Sequence, residues 1–419
     1  MNGDGSLLQK VALHQADARS ASFCETHTYR ESHEFIATRF DKPDSHDVQT
    51  SLRKLSRLDV REALPKEALA FAGRLELDQS LRDALSAQQL ADCLHALAKW
   101  DKNDVFHKAG LALSARLAYE ERPGLLLDAQ RVAQCLDALA RWDREPVCRA
   151  AGERLARRIA AEPQLCDALN RHEVVACLGA LARWHEASAC AEAGMRLARR
   201  IVDDKGLVDG LNGHAVAQCL NALGKWDSTS MGLDAVKQLA ARLATDEALV
   251  RQLNGARVAN CLSALARWCD DDVCRTAGIR LARRIAEDGP LRHHLNGRHV
   301  AVCLGALASW NDDDMCRKGA VQLARRLASD MSLCDRLTVK HIVNCLQALG
   351  KLSNESACLA GAIKISQRVL TDPTLCDDLH QDQVARCAAA LEVWGSESLP
   401  ARARMRLGQL MQAGTDLRS

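Results

Sequence analysis

Aromatic residues are scarce in this chain: they make up 3% of 419 residues, with two Tyr and five Phe. That excludes a conventional large aromatic core and leaves burial to Leu, Ala, Val, Cys and seven Trp, a set suited to close packing of helices. Charge of one sign is also missing. Fifty-six Lys and Arg against 54 Asp and Glu leave a formal net charge of +2. The chain as a whole therefore exerts no pull on nucleic acid or an acidic membrane, and any electrostatic preference must come from local patterning. No apolar run approaches the roughly 18 residues that a membrane-crossing helix needs, so no membrane partner is expected.

Signatures of chemistry are absent too. There is no Gly-rich phosphate loop, H-E-x-x-H, G-x-S-x-G or kinase set, and the 14 His are scattered without a recurring Ser, Cys or Asp companion. Hence no catalytic residue, cofactor or small-molecule substrate is expected. The 18 Cys contain no C-x-x-C pair. With neither a short chain nor a secretory signal peptide beside them, they read as reduced thiols in a cytosol-like compartment. Residues 1–45 are rich in Ser, Thr, His and Asp without helical periodicity and are expected to be disordered; Leu7–Leu8 and Val11–Leu13 are too broken to form the apolar core of a secretory signal.

What is present is a repeat. Trp100, Trp142, Trp184, Trp226, Trp268 and Trp310 are spaced by 42 residues, Leu352 takes the next slot and Trp394 the one after. Seven residues earlier runs an unbroken column of Cys93, Cys135, Cys177, Cys219, Cys261, Cys303, Cys345 and Cys387. An atypical earlier copy, SLRKLSRLD, puts Ser51 in the Cys slot and Leu58 in the Trp slot, as a terminal capping repeat should.

Each repeat holds a first helix, typified by LNGARVANCLSALARW, in which Val258, Cys261, Leu262, Leu265 and Trp268 follow helical spacing. The residue before its first turn is Ser86, Asp128, Asn170, Asn212, Asn254, Asn296 or Thr338, each able to accept from free N–H groups, with His380 departing from the set. A second helix, typified by DVCRTAGIRLARRIAED, carries small pairs such as Ala277–Gly278 that let neighbours approach closely. An acidic column then follows (Asp78, Glu120, Glu162, Asp204, Asp246, Asp288, Asp330, Asp372), expected to cap a short third helix. Two long helices and one short one per 42 residues predict an all-α, HEAT/armadillo-like α-solenoid. Residues 46–419 are expected to form a single solenoid of about eight and a half repeats, because no repeat can bury its faces alone.

The stretch LNALGKWDS, with its variants LHALAKWDK, LDALARWDR and LSALARWCD, resembles the SKWP-repeat family of type III secreted effectors of plant-pathogenic bacteria; CRAAGERLARRIA is similar to that family's second helix. Here Ala or Gly precedes the Lys/Arg-Trp pair and mostly Asp follows it. The resemblance implies delivery into a host cell through an N-terminal signal, a host protein as partner and no enzymatic activity. VANCLSALARW is similar, more weakly, to octotricopeptide-type repeats, which implies single-stranded RNA as the alternative partner.

The candidate binding residues form a stripe at the second, sixth, ninth and thirteenth positions after each first-helix cap. It reads Gln88, Asp92, His95, Lys99; Gln130, Gln134, Asp137, Arg141; His214, Gln218, Asn221, Lys225; and Lys340, Asn344, Gln347, Lys351, with Arg183, Asn260 and Arg267 from the intervening repeats. Invariant columns serve the fold, whereas a polar column that changes from repeat to repeat is where different repeats could read different things. Asn, Gln and Arg there could bond the edges of single-stranded bases or the backbone of an extended peptide; the alternative is an ordinary solvated face.

Three other columns have plainer readings. Arg74, Arg116, Arg158, Arg200, Arg242, Arg284, Arg326 and Arg368 could track phosphates, but each precedes the acidic column by four residues, so an ion pair or a bond to a neighbouring repeat is the stronger expectation. The Trp column reads as packing between repeats rather than base-stacking platforms. Cys269 and Cys274 near His293 and His294 lack the tight paired spacing of a structural zinc site, and no metal is expected.

Overall fold

The computed structural model describes residues 66–120, 127–226, 230–372, 374–375, 378–395 and 398–416. The expected disordered segment 1–45 and the atypical repeat around Ser51 and Leu58 lie outside the described residues. All regular secondary structure among the described residues is helical. The chain divides into two compact parts, one ending at Leu169 and the other beginning at Asn170.

The first part contains α1 (Lys66–Leu77), α2 (Gln79–Ala84), α3 (Ala87–Ala98), α4 (Asp104–Tyr119), α5 (Ala129–Leu139), α6 (Pro146–Ala161) and α7 (Pro163–Ala168). Here α3 packs on α5, while α1, α4 and α6 pack in succession. The second part begins with α8 (Arg171–Leu181), α9 (Ser188–Asp203), α10 (Lys205–Asp209), α11 (Gly213–Leu223), α12 (Ser230–Thr245), α13 (Glu247–Gln252), α14 (Gly255–Leu265), α15 (Asp272–Glu287) and α16 (Gly289–His294). It continues through α17 (Gly297–Leu307), α18 (Asp314–Ser329), α19 (Met331–Asp335), α20 (Val339–Lys351), α21 (Ser356–Thr371), α22 (Gln381–Glu392) and α23 (Ser398–Asp416). The first helices α8, α11, α14, α17, α20 and α22 pack each on the next, and so do the second helices α9, α12, α15, α18, α21 and α23. Within each part, helices thus pack against their neighbours in series, first helices on first and second on second, consistent with an α-solenoid.

Local chemistry starts each helix where the sequence indicates. Asn212, Asn254 and Asn296 accept from the N–H groups of Ala215, Arg257 and His299 at 3.0, 3.1 and 2.9 Å, satisfying donors a helix N-terminus leaves open. Ser86 and Asn170 go further and form reciprocal capping boxes with Gln89 and Glu173. The departing His380 is compensated by Gln383, whose side chain accepts the His380 N–H at 3.1 Å. Acidic capping of the short helices holds at Asp78, Asp204, Asp246, Asp288 and Asp330, each accepting an N–H three residues on. Glu162 differs: Pro163 fills the first helical position, and the carboxylate turns to Arg158 at 2.8 and 3.0 Å instead.

The apolar columns make the core. All eight cysteines of the first-helix column are fully buried, as are Leu94, Leu136, Leu178, Leu220, Leu262, Leu304 and Leu346 beside them. The tryptophans depart from the expected continuous helix: Trp142, Trp184, Trp268 and Trp310 sit on a 3₁₀ turn that follows the α-helix. Tightening the last turn changes the direction in which the ring leaves the backbone. Trp142, Trp184, Trp226, Trp310 and Trp394 are buried, Trp268 only partly. Space for these rings comes from the small residues of the second helix. A Cβ on Gly110 would lie 2.4 Å from Trp142, and one on Gly194 would lie 2.7 Å from Trp226. Val236 occupies the corresponding place before the partly exposed Trp268.

The arginine column is structural in the way its spacing suggests, with an added role. Arg158 donates to the Leu127 carbonyl at 3.0 Å while pairing with Glu162 at 2.8 Å. Arg368 donates to the Cys334 and Leu337 carbonyls at 2.5 and 2.7 Å and lies 3.6 Å from Asp372. Arg242, Arg284 and Arg326 bond the carbonyls of Val208, Val250 and Arg292 in the same way. Arg242, Arg284 and Arg326 each close the open carbonyl end of a preceding short helix and lie beside the acid that starts the next one, Asp246, Asp288 and Asp330.

Candidate binding surface

First helices expose one face because the other is apolar. Along α11, the residues Val216, Cys219, Leu220 and Leu223 are buried, while His214, Gln218, Asn221 and Lys225 are all exposed. Along α20 and its flanks, Lys340 and Lys351 are exposed and Asn344 and Gln347 half-buried. Arg183 and Arg267 are exposed at the ends of their helices and Asn260 is half-buried on α14. In the first part, Gln88, Gln130 and Arg141 are exposed, whereas Asp92, His95, Lys99, Gln134 and Asp137 are half-buried.

Serial packing of the first helices sets these stripes side by side within each part. Gln134 donates to Asp92 at 3.1 Å, joining equivalent positions on α5 and α3. In the second part Arg257 donates to His214 Nδ1 at 3.1 Å, and Arg386 reaches Gln347 at 2.6 Å. Arg257 lies one residue outside the expected stripe; it belongs to the surface because the neighbouring helix brings His214 alongside, a relationship visible only once the packing is known. Arg298, at the second position on α17, belongs to the stripe by its spacing, and its charge acts on His341 of the next first helix.

The two parts differ in electrostatics. In the first, Asp92 and Asp137 stand among the cations, and Arg141 lies 3.8 Å from Asp137. Burial and then Lys99 lower the His95 imidazole pKa, while Asp137 and Asp92 act in the opposite sense. In the second, Glu173 on α8 and Asp382 and Glu392 on α22 are carboxylates, but the four first helices between them, α11, α14, α17 and α20, have none. The segments 211–226, 253–268, 295–310 and 337–352 contain no Asp or Glu. Burial lowers the pKa values of His214, His299 and His341, and the charges that act with it are Arg257, Arg298, and Arg298 with Lys340, respectively.

The Cys column is buried away from this surface, and so is the Trp column except at the half-buried Trp100 and Trp268. Trp310 donates its indole N–H to the Cys269 carbonyl at 3.0 Å and is 1% exposed. Burial pushes the thiols of Cys219, Cys261 and Cys303 up to about 12, so they stay protonated and unreactive at neutral pH. Cys274 is buried and Cys269 is half-buried, its thiol directed to Asp270 at 3.7 Å. Among the described residues no three His, Cys, Asp or Glu side chains are grouped to hold a metal ion, and no helix is long and apolar enough to cross a membrane. On the second-helix side a depression of about 370 Å³ is lined by charges of both signs, including Asp314, Arg317, Lys318 and Glu355.

Neither known protein families nor curated proteins give a match to the chain.

Proposed function

We propose that this chain is a non-enzymatic scaffold, a HEAT/armadillo-like α-solenoid of 42-residue repeats over residues 46–419, that binds another macromolecule along its first-helix face. The observation that carries this reading is the segregation on each first helix: the recurring Cys and Leu are buried in the core, while the changing residues, such as His214, Gln218, Asn221 and Lys225, are exposed together. A surface whose polar residues vary from repeat to repeat over a fixed framework can give each repeat its own contact, which is how helical solenoids build extended binding surfaces.

The partner in this reading is a protein of a host cell. The resemblance to SKWP-repeat effectors supports it, with residues 1–45 serving as the secretion signal and the host cytosol as the place of action. Reduced, buried cysteines suit that compartment.

Site-specific photocrosslinking tests the assignment of the face. A photoreactive residue at Gln218 should crosslink a partner from plant-cell lysate, and one at Arg283 on α15 should not. Crosslinking from Arg283 alone would place the binding surface on the second helices and refute the reading.

A further inference from the structure

We infer that the first-helix face running from His214 to Lys351 binds an extended, acidic segment of a partner protein. The inference rests on the reading of that face as the binding surface and adds the chemistry of what it holds.

The first observation is a charge asymmetry hidden by the near-zero net charge. The chain carries 54 Asp and Glu, yet α11, α14, α17 and α20 with their flanks, segments 211–226, 253–268, 295–310 and 337–352, have none. These four helices pack consecutively, so their faces form a carboxylate-free surface. Lys225, Arg298, Lys340 and Lys351 are exposed on it, and none of the four makes an ion pair with a described residue. Elsewhere the protein pairs its cations freely: Arg275 with Asp312 at 2.5 Å, Lys237 with Asp271 at 2.8 Å. A row of uncompensated cations repels itself, at a cost to the folded state that an anionic partner relieves.

The second observation is how the polar groups are ordered across the face. Cations occupy its two margins, with Arg298 and Lys340 near the helix starts and Lys225 and Lys351 at the helix ends, while amides fill the middle: Gln218 and Asn221 on α11, Asn260 on α14, Asn344 and Gln347 on α20. An amide offers a donor and an acceptor together and so matches a peptide group, which presents the same pair. Carboxylates to either side of an extended backbone would then meet the marginal cations. With helix axes about 8–10 Å apart, four helices span about 24–30 Å, and a strand rising about 3.3 Å per residue covers that length with about seven to nine residues.

A third observation decides between an acidic peptide and a nucleic acid. Surfaces that hold single strands rely on aromatic side chains on which bases stack. The four segments contain no Phe or Tyr, Trp226 and Trp310 are buried, and only Trp268 is partly exposed. The face therefore supplies charge and amides without the stacking platforms.

The test uses the full chain and three fluorescein-labelled probes at about 0.15 M salt: a decapeptide of alternating Glu and Ser, its counterpart with Gln for Glu, and deca-uridylate, with binding read by fluorescence anisotropy. The acidic peptide should bind and the Gln peptide should bind at least tenfold more weakly. The combined variant Lys225→Glu, Lys340→Glu, Lys351→Glu should weaken the acidic peptide at least tenfold. The variant Arg199→Glu, Arg283→Glu, Arg325→Glu, which reverses as many exposed charges on the second helices, should change it less than twofold. Both should melt within about 2 °C of the parent; if the first does not, the same three lysines changed to Gln should still weaken binding at least threefold. No binding of the acidic peptide, or equal loss in the two variants, overturns the inference. Deca-uridylate binding tenfold tighter than the peptide, with the same dependence on Lys225, Lys340 and Lys351, also overturns it but keeps the face as the binding surface. Binding of every probe that depends only on the second-helix arginines would refute the surface itself.

Discussion

A Cβ on Gly278 would lie 2.7 Å from Cη2 of Trp310, a distance that non-bonded carbon atoms do not tolerate. The glycine of one second helix is thus the seat for the indole of the next repeat's first helix, and Trp310 is fully buried as a result. Backbone conformation does not demand this glycine, since it lies within the regular helix α15; the ring does. Gly278→Ala should therefore destabilise the protein by up to about 2 kcal/mol, the overpacking cost less the gain from helix propensity. Gly305→Ala is the matched control, because nothing lies within 4 Å of a Cβ there. It should be neutral or stabilising by up to about 1 kcal/mol. Urea midpoints of the two variants check both values.

The arginine column supplies a second contrast from adjacent residues. Arg284 bonds the Val250 carbonyl and lies 3.6 Å from Asp288, so it joins the end of α13 to the start of α16. Arg283 is exposed. Arg284→Met leaves a carbonyl without its charge-assisted donor and should cost about 1.5–3 kcal/mol, whereas Arg283→Met should stay within about 0.5 kcal/mol. Thermal melts of the pair decide whether the column serves the fold as described.

Stability should fall on the alkaline side because of the buried thiols. Cys261 is pushed by burial from its ordinary 9.0 up to about 12. Above pH 9 the unfolded chain has lost this proton and the folded chain retains it. The stabilisation is thus complete below pH 9 and is lost progressively as pH rises toward 12. Replacing Cys261 with Ala should make the decline of the urea midpoint between pH 9 and 10.5 shallower by roughly one thiol's share, a slope of about 1.4 kcal/mol per pH unit. An unchanged slope would mean that this thiol ionises equally in both states.

The cations that close the first helices should matter little for folding. Arg141, Arg183 and Arg267 are exposed, and the Arg141–Asp137 pair at 3.8 Å is of the surface kind that contributes little. Changing all three to Gln should shift the melting temperature by no more than about 2–4 °C while weakening partner binding. A larger loss on melting would make these residues part of the framework.

How far the sequence reaches depends on the range of each interaction. Caps at Asn254 and Asp288 are legible because the acceptor and its N–H are three residues apart. Burial of the Cys and Leu columns is legible because periodicity alone assigns the apolar face. The stripe is legible as a set of positions, but the inclusion of Arg257 is not, since it depends on His214 of the preceding helix. Likewise the Gly278 and Trp310 columns are both visible in the sequence, yet nothing local says that one receives the other. The 3₁₀ turn that aims the ring escapes notice because Ala308-Ser309-Trp310, like the Ala-Arg-Trp turns ending at Trp142, Trp184 and Trp268, continues the helical pattern without interruption.

Side-chain footprinting of the full chain with and without its bound partner tests the central claim most directly. Carboxylate- and amine-directed labels together report on both layers. Protection at Lys225, Lys340 and Lys351, with Lys318 and Glu287 on the second helices unchanged, is the predicted result. Protection of Lys318 and Glu287 with the three first-helix lysines still reactive would contradict it.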